Sequence, residues 1–302
     1  MNQDVYHIPA LLEETLEGLN IIPSGVYVDV TFGGGGHSRA ILAKLGSNGR
    51  LYSFDQDEDA IKNRLNDSRF TFVYSNFRFL SNFMKYHDVD GVDGILGDLG
   101  VSFHHFDDSE RGFSFRWNGD LDMRMNRKSS RTASWILNNY SVEKLADMFF
   151  INGELKSARR MASLIDSARQ KTPILKVEQL LSIVRSVINP KQEKKELAQV
   201  FQALRIEVNG ELDALKAFLT QSLKELKVGG RLAIITYHSL EDRIVKNFLK
   251  SGNFTGEINK DFYGRSMTPF KLVNNKPIVP TDEEIERNPR ARSAKLRVAQ
   301  KL

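Results

Sequence analysis

The sequence has no cysteine, which excludes a disulfide framework and any thiolate metal site. It also has no run of roughly 18 or more apolar residues, so no segment can span a membrane as a helix. The opening Met1-Asn2-Gln3-Asp4 lacks the basic and apolar regions of a secretory leader, and a cytoplasmic location is expected. Six histidines are present, but none shows a His-x-x-x-His spacing with neighbouring carboxylates, so no metal is expected. No repeat or low-complexity tract occurs. Neither sign of charge dominates: the net charge of +5 permits a polyanionic partner without demanding one. At 41% hydrophobic and 27% charged over 302 residues, the chain suits one large domain, or a domain carrying a substantial insertion.

Its most informative stretch is Val26-Tyr27-Val28-Asp29-Val30-Thr31-Phe32-Gly33-Gly34-Gly35-Gly36-His37-Ser38. An apolar run ends in a carboxylate, passes through four glycines and enters the helix-like Arg39-Ala40-Ile41-Leu42. Glycine accepts positive φ and lets a ligand approach the backbone closely. The helix start that follows directs unpaired N–H groups at that ligand. A second apolar run, Leu51 to Phe54, ends at Asp55, about twenty residues past the turn, where a carboxylate can accept hydrogen bonds from ribose hydroxyls. The pattern is the strand–turn–helix of a nucleotide-binding α/β sheet. Asp29, at the end of the first strand, would repel a pyrophosphate but suits a ligand with a cationic end, such as the amino group of S-adenosylmethionine. Asp29 can equally be a helix-capping or turn residue. A dehydrogenase is the rival enzyme, disfavoured by Asp29 and by the lack of a clean Gly-x-Gly-x-x-Gly.

Strand-like runs recur at Val26–Val30, Leu51–Phe54, Phe70–Tyr74 and Val92–Leu96, with helical patterns between them, predicting a mostly parallel sheet covered on both faces. The next, Arg231–Tyr237, comes about 130 residues later, far longer than a compact crossover requires. The interval 126–208 therefore reads as an inserted helical subdomain, between a first part at 1–125 and a second at 209–302. A helix over 211–226 is expected to stop at Val228-Gly229-Gly230. Two further strands are expected at Phe270–Val273 and Lys295–Ala299, and 253–269 reads as irregular. The fourth strand ends at Asp98, placed to face the same crevice as Gly33 and Asp55. Asp98 could orient an exocyclic amine and take up its proton, or simply cap a loop.

These motifs, in this order, resemble the bacterial small-subunit (16S) ribosomal RNA cytosine-N4 methyltransferase family. The resemblance is carried by His7-Ile8-Pro9-Ala10-Leu11-Leu12, Asp29 to Ser38, Phe54-Asp55-Gln56-Asp57 and Asp98-Leu99-Gly100-Val101-Ser102. It continues through Arg111-Gly112-Phe113-Ser114-Phe115, Leu121-Asp122-Met123-Arg124-Met125, Val200 to Asn209, His238 to Arg243 and Asn288 to Arg297. It implies a class I methyltransferase, Rossmann-like, that moves a methyl group from S-adenosylmethionine to the N4 amine of one cytosine in the decoding region, and hence the small ribosomal subunit as partner. By family pattern the donor contacts Gly35, Gly36, His37, Asp55, Phe77 and Asp98, and the residues add Asp29, Gly33 and Gly34. Phe77 suits packing on adenine and equally a place under the sheet.

The family usually has Gln where His105 stands and a small Ser or Thr at Phe103. A neutral imidazole still offers one donor and one acceptor, so His105 is carried over as a donor contact. His238 is expected to contact the target base or relay a proton, with a backbone-bonded structural histidine as the alternative. For RNA, the candidates are Arg287, Arg290, Arg292, Lys295 and Arg297, whose arginine forks match phosphate oxygens. Arg205 and Asn209, one helical turn apart, are expected to share a face toward the cleft. A noncatalytic RNA-binding assembly factor stays open as a rival, and a homodimer is a possible state of the chain.

Overall fold

The structure, a computed structural model, describes residues 9–100 and 110–302. The chain divides into two compact units, 1–100 with 213–302, and 101–212. Seven strands build the first: β1 (Val26–Asp29), β2 (Arg50–Asp55), β3 (Phe70–Tyr74), β4 (Val92–Asp98), β5 (Leu226–Thr236), β6 (Phe270–Leu272) and β7 (Lys295–Lys301). Their order is β3-β2-β1-β4-β5-β7-β6. The pairs from β3 through β5 are parallel, and β7 runs antiparallel to both neighbours. The expected mostly parallel sheet is present. Strand order reverses direction between β1 and β4, and the crevice beyond their carboxyl ends is where such sheets bind ligands.

The helices are α1 (Leu12–Leu19), α2 (Gly36–Lys44), α3 (Leu80–Tyr86), α4 (Ala133–Asn139), α5 (Val142–Ile151), α6 (Ala158–Arg169), α7 (Val177–Val184), α8 (Glu193–Asn209), α9 (Glu211–Glu225), α10 (Ser239–Ser251) and α11 (Asp282–Arg287). Side chains alternate across the sheet with period two. Leu232 and Ile234 join Phe218, Leu219, Val245 and Phe248 on one face. Ala233 and Ile235 join Leu16, Leu19, Ile41 and Leu42 on the other. Burial on both faces explains why these strands read as nearly continuous apolar runs.

The second unit has its own helical core, with Leu145, Met148, Phe149, Leu180, Leu181 and Val184 buried together. Phe113, Leu121 and Met123, which precede residue 126, belong to that core as well. Thr132 and Ser141 cap α4 and α5 through their hydroxyls. No helix among the described residues is long and apolar enough to cross a membrane.

One local expectation changes. Gly229 (φ +84°) does not stop a helix. α9 ends at Glu225, and β5 already runs from Leu226, its pairing with β4 shifting between Val92 and Gly94. The glycines therefore serve an irregularity inside a strand. The segment 253–269 holds no helix or strand, as expected, but Lys260 and Ser266 form an antiparallel bridge that closes a hairpin.

Candidate functional site

The glycine turn takes its shape from its neighbours. Gly35 (φ +76°) is the residue before α2, and a Cβ there would lie 2.8 Å from the Phe32 ring. A Cβ on Gly36 would come within 2.5 Å of Pro9 Cγ. Gly33 (φ +50°) differs, since an added Cβ would meet nothing within 4 Å, so this part of the turn borders open space. The Gly34 carbonyl accepts from Arg39 Nη1 at 2.7 Å. No side chain caps the start of α2, which leaves first-turn N–H groups directed at the space beyond the turn.

Three carboxylates end three adjacent strands around this turn. Asp29 is buried under it: one oxygen accepts from Ser38 Oγ at 2.6 Å, and the other from Thr31 N at 3.0 Å. Ser38 Oγ also lies 2.8 Å from Ser53 Oγ, tying β1 to α2 and β2. Asp29 thus braces the loop, as the turn-residue alternative expects. Asp55 holds the turn from the side, accepting from Gly33 N at 2.8 Å and Asp57 N at 2.9 Å. Asp98 accepts from Tyr237 Oη at 2.8 Å, while its own amide donates to Thr31 Oγ1 at 2.6 Å.

Burial out of water raises the pKa of all three, and mutual repulsion adds to it for Asp55 and Asp98. Asp55 is pushed up to about 6 and Asp98 to about 7. The nearest imidazole does not compensate. His37 Nδ1 is 3.7 Å from Asp98 Oδ2, but desolvation lowers His37 to about 4, against a smaller opposing effect of its bond to Ala10. His37 is therefore neutral at pH 7, and because Ala10 O can only accept, Nε2 carries the proton at 3.1 Å. Nδ1 is left as an acceptor facing the crevice. Among the described residues, no Lys or Arg pairs with any of the three carboxylates.

Phe77 opens a short 3-10 turn after β3, half-buried, with its ring centre 5.5 Å from that of Phe218 in T-shaped contact. It edges the core while keeping part of its surface in solvent. His238 caps α10, its Nδ1 accepting from Glu241 N at 3.5 Å. Its Nε2 lies 3.1 Å from Glu241 Oε1 yet makes no hydrogen bond of good geometry. Distance alone therefore overstates that contact. His105 lies outside the described residues, with Phe103, Val101-Ser102 and His7-Ile8.

The expected substrate residues separate into two groups. Arg205 is engaged by Glu211 in a two-pronged pair at 2.9 and 3.0 Å. Asn209 donates to Met123 O and Arg205 O and accepts from Met125 N at 2.8 Å. Both hold the helical unit together. Arg297 is a correction: it projects from β7 onto α10, 9% exposed, bound through Nε to Asp242 at 2.7 Å. A buried, paired guanidinium is not a phosphate ligand. Arg290 and Arg292 are exposed on the turn 289–293. Because β7 starts opposite Thr236, the last residue of β5, that turn sits at the same sheet edge as the carboxylates.

Sequence reasoning missed Tyr237, Thr31 and Pro9. Tyr237 carried a signal, since it directly follows β5 at the edge where Asp98 was expected.

The sequence pattern of the MraW methylase family matches residues 4–302. A protein of Parabacteroides distasonis named ribosomal RNA small subunit methyltransferase H is 61% identical over 298 residues, 98% of each chain. Its namesake in Phocaeicola vulgatus is 59% identical over 299 residues, 99% of this chain and 98% of that one. A solved rRNA methylase from Streptococcus thermophilus overlays with a TM-score of 0.41 at 14% identity, over 98% of both chains, too loosely to bear on the site.

Proposed function

We propose, for a chain that belongs to the MraW methylase family, that it methylates the N4 amine of a cytosine in small-subunit ribosomal RNA. The donor is S-adenosylmethionine. One observation carries the assignment: three carboxylates surround an open glycine turn, two of them raised to about 6 and about 7 by burial out of water, with neighbouring acids adding to it. A ligand bearing ammonium and sulfonium charges relieves that repulsion. A pyrophosphate would worsen it.

When bound, S-adenosylmethionine supplies an intrinsically activated methyl group. The chain's residues supply position and proton management. Gly33 borders the open space where a ligand can approach closely, and the turn through Gly34 and Gly35 to Gly36 presents the amides of the α2 start. Asp55 is placed to accept from ribose hydroxyls and Phe77 to pack against a purine. The cytosine amine is a poor nucleophile because its lone pair is delocalised into the ring. Asp98, held by Tyr237 and Thr31, is placed to accept one amine hydrogen and so favour a pyramidal nitrogen. With its pKa near 7 it suits receiving the proton released on transfer. His238 borders the same crevice and could relay that proton. The exposed Arg290 and Arg292 suit phosphates leading to it.

Mass mapping of nucleosides in ribosomal RNA from cells with and without the protein tests the assignment. One N4-methylated cytidine should disappear with the protein, and an unchanged nucleoside profile would refute the assignment. Asp55→Ala should weaken binding of S-adenosylmethionine by about tenfold to a hundredfold, since a charge-assisted acceptor is lost and the turn is released. Calorimetry measures this directly. Arg290→Ala with Arg292→Ala should weaken RNA binding and flatten the slope of log affinity against log salt by roughly one to two. An unchanged slope removes that turn from the RNA path.

A further inference from the structure

The excursion between α10 and β6 presents two aromatic rings that nothing among the described residues covers. Phe262 is 98% exposed and Tyr263 82% exposed. They are not on a loose loop. Asp261 Oδ1 accepts from Tyr263 N at 2.9 Å and from Arg265 N at 2.8 Å, and Asp261 N donates to Arg265 O at 2.9 Å. Asn253 fixes the base, accepting from Gly256 N at 2.9 Å and donating to Glu257 O at 2.7 Å. Lys260 and Arg265 are exposed on either side of the rings. The Asp261 carboxylate is turned back into the backbone, so the tip shows cations and π faces to solvent.

Rigidly held exposed aromatics beside cations are the composition of a nucleobase platform, where stacking and phosphate attraction act together. A protein-binding patch would be broader and more apolar: of the flanking residues Asn259, Ser266, Met267 and Thr268, only Met267 is apolar and exposed. The two rings stand 89° apart with centroids 5.7 Å from each other. Perpendicular rings cannot enter one continuous base stack, but they suit bases already splayed in a loop or bulge.

We propose that the hairpin 260–266 is a second RNA contact that grips unstacked bases of the substrate away from the reacting cytosine. This rests on the assignment of an RNA substrate above. Topology sets the distance. α10 leaves the carboxyl edge of the sheet, and β6 begins with Phe270 opposite Lys301, at the other edge. Gly252 and Pro269 meet there, since a Cβ on Gly252 would be 2.7 Å from Pro269. The base of the hairpin therefore lies at the edge opposite Asp98, which points it to bases other than the one being methylated. Its contribution is to affinity alone.

The test is Phe262→Ala with Tyr263→Ala in the full chain, assayed for binding to protein-free small-subunit ribosomal RNA and for steady-state methylation of it. KM and the RNA dissociation constant should rise roughly 10- to 100-fold, with kcat and S-adenosylmethionine affinity unchanged. Phe262→Leu with Tyr263→Leu should be as defective, because leucine is apolar but cannot stack. Full rescue by leucine, unchanged affinity for protein-free RNA, a defect confined to assembled subunits, or conversion of a dimer to monomers in sedimentation would each overturn the proposal. Failure of the native chain to methylate any RNA would instead refute the assigned function, so the two failures are distinguishable.

Discussion

Asp98→Asn is expected to reduce methyl transfer by about 10²- to 10⁴-fold while leaving the protein folded. Asparagine can still accept from Tyr237 Oη, and its amide can face the unprotonated Nδ1 of His37, so the local scaffold keeps its partners. What disappears is a group that can take a proton near neutrality. In the native protein kcat/KM should rise with pH along a limb near 7, where Asp98 ionises. In kcat the limb should sit lower, because a bound cation favours the carboxylate. The variant should lack both limbs. Stability supplies an independent readout with a defined sign. The folded pKa of Asp98 is above its ordinary value of 3.8, so its contribution is fully present below about pH 4 and is lost as pH rises through about 7. Asp98→Asn should therefore melt higher than the native protein at pH 8, by on the order of a few kcal/mol, and converge with it toward pH 4. A pH profile of methylation shared by both proteins would remove Asp98 from the proton path.

Gly35→Ala should damage both folding and donor binding. At φ +76° an L-residue is strained, by roughly 1–2 kcal/mol. Its Cβ would also press on Phe32, whose ring is 5.6 Å from Phe70 and 5.2 Å from Phe72, so it has little room to yield. Together these predict a loss of about 2–4 kcal/mol and near-abolition of S-adenosylmethionine binding. Gly33→Ala is the informative contrast. Its φ is also positive, yet its Cβ enters open space. Only the conformational cost of about 1 kcal/mol remains, while the methyl group intrudes where the ligand is expected. Thermal melting with and without S-adenosylmethionine separates the two. If both variants melt alike without ligand, the Phe32 contact does not constrain the turn.

The five parallel strands were legible because strands buried on both faces write themselves as short apolar runs, while β6 and β7 showed themselves by alternating apolar and charged residues. The carboxylates at strand ends were legible because the topology of such sheets sends strand ends to one edge. Side-chain partners were harder. Arg297 sits in a charged C-terminal stretch that looks solvated, and its partner Asp242 is 55 positions away. Sequence spacing cannot reveal a pair that exists only after β7 inserts beside β5. Gly229-Gly230 misled because a glycine pair after a helix signals a stop and a strand irregularity equally well. The 260–266 hairpin looked irregular because its order comes from Asp261 and Asn253 bonding to backbone, which leaves no periodic pattern.

The division of the chain also has a consequence for its birth. The sheet is assembled from residues on both sides of a helical insertion, and β7, which lies between β5 and β6, follows both of them in the chain. During translation the insertion can fold as soon as it emerges, which shortens the gap the two halves must close. β5 gains its antiparallel neighbour only once β7 has been made, so the sheet margin from β5 to β6 closes after the carboxylate-bearing strands β1, β2 and β4 are available to pair.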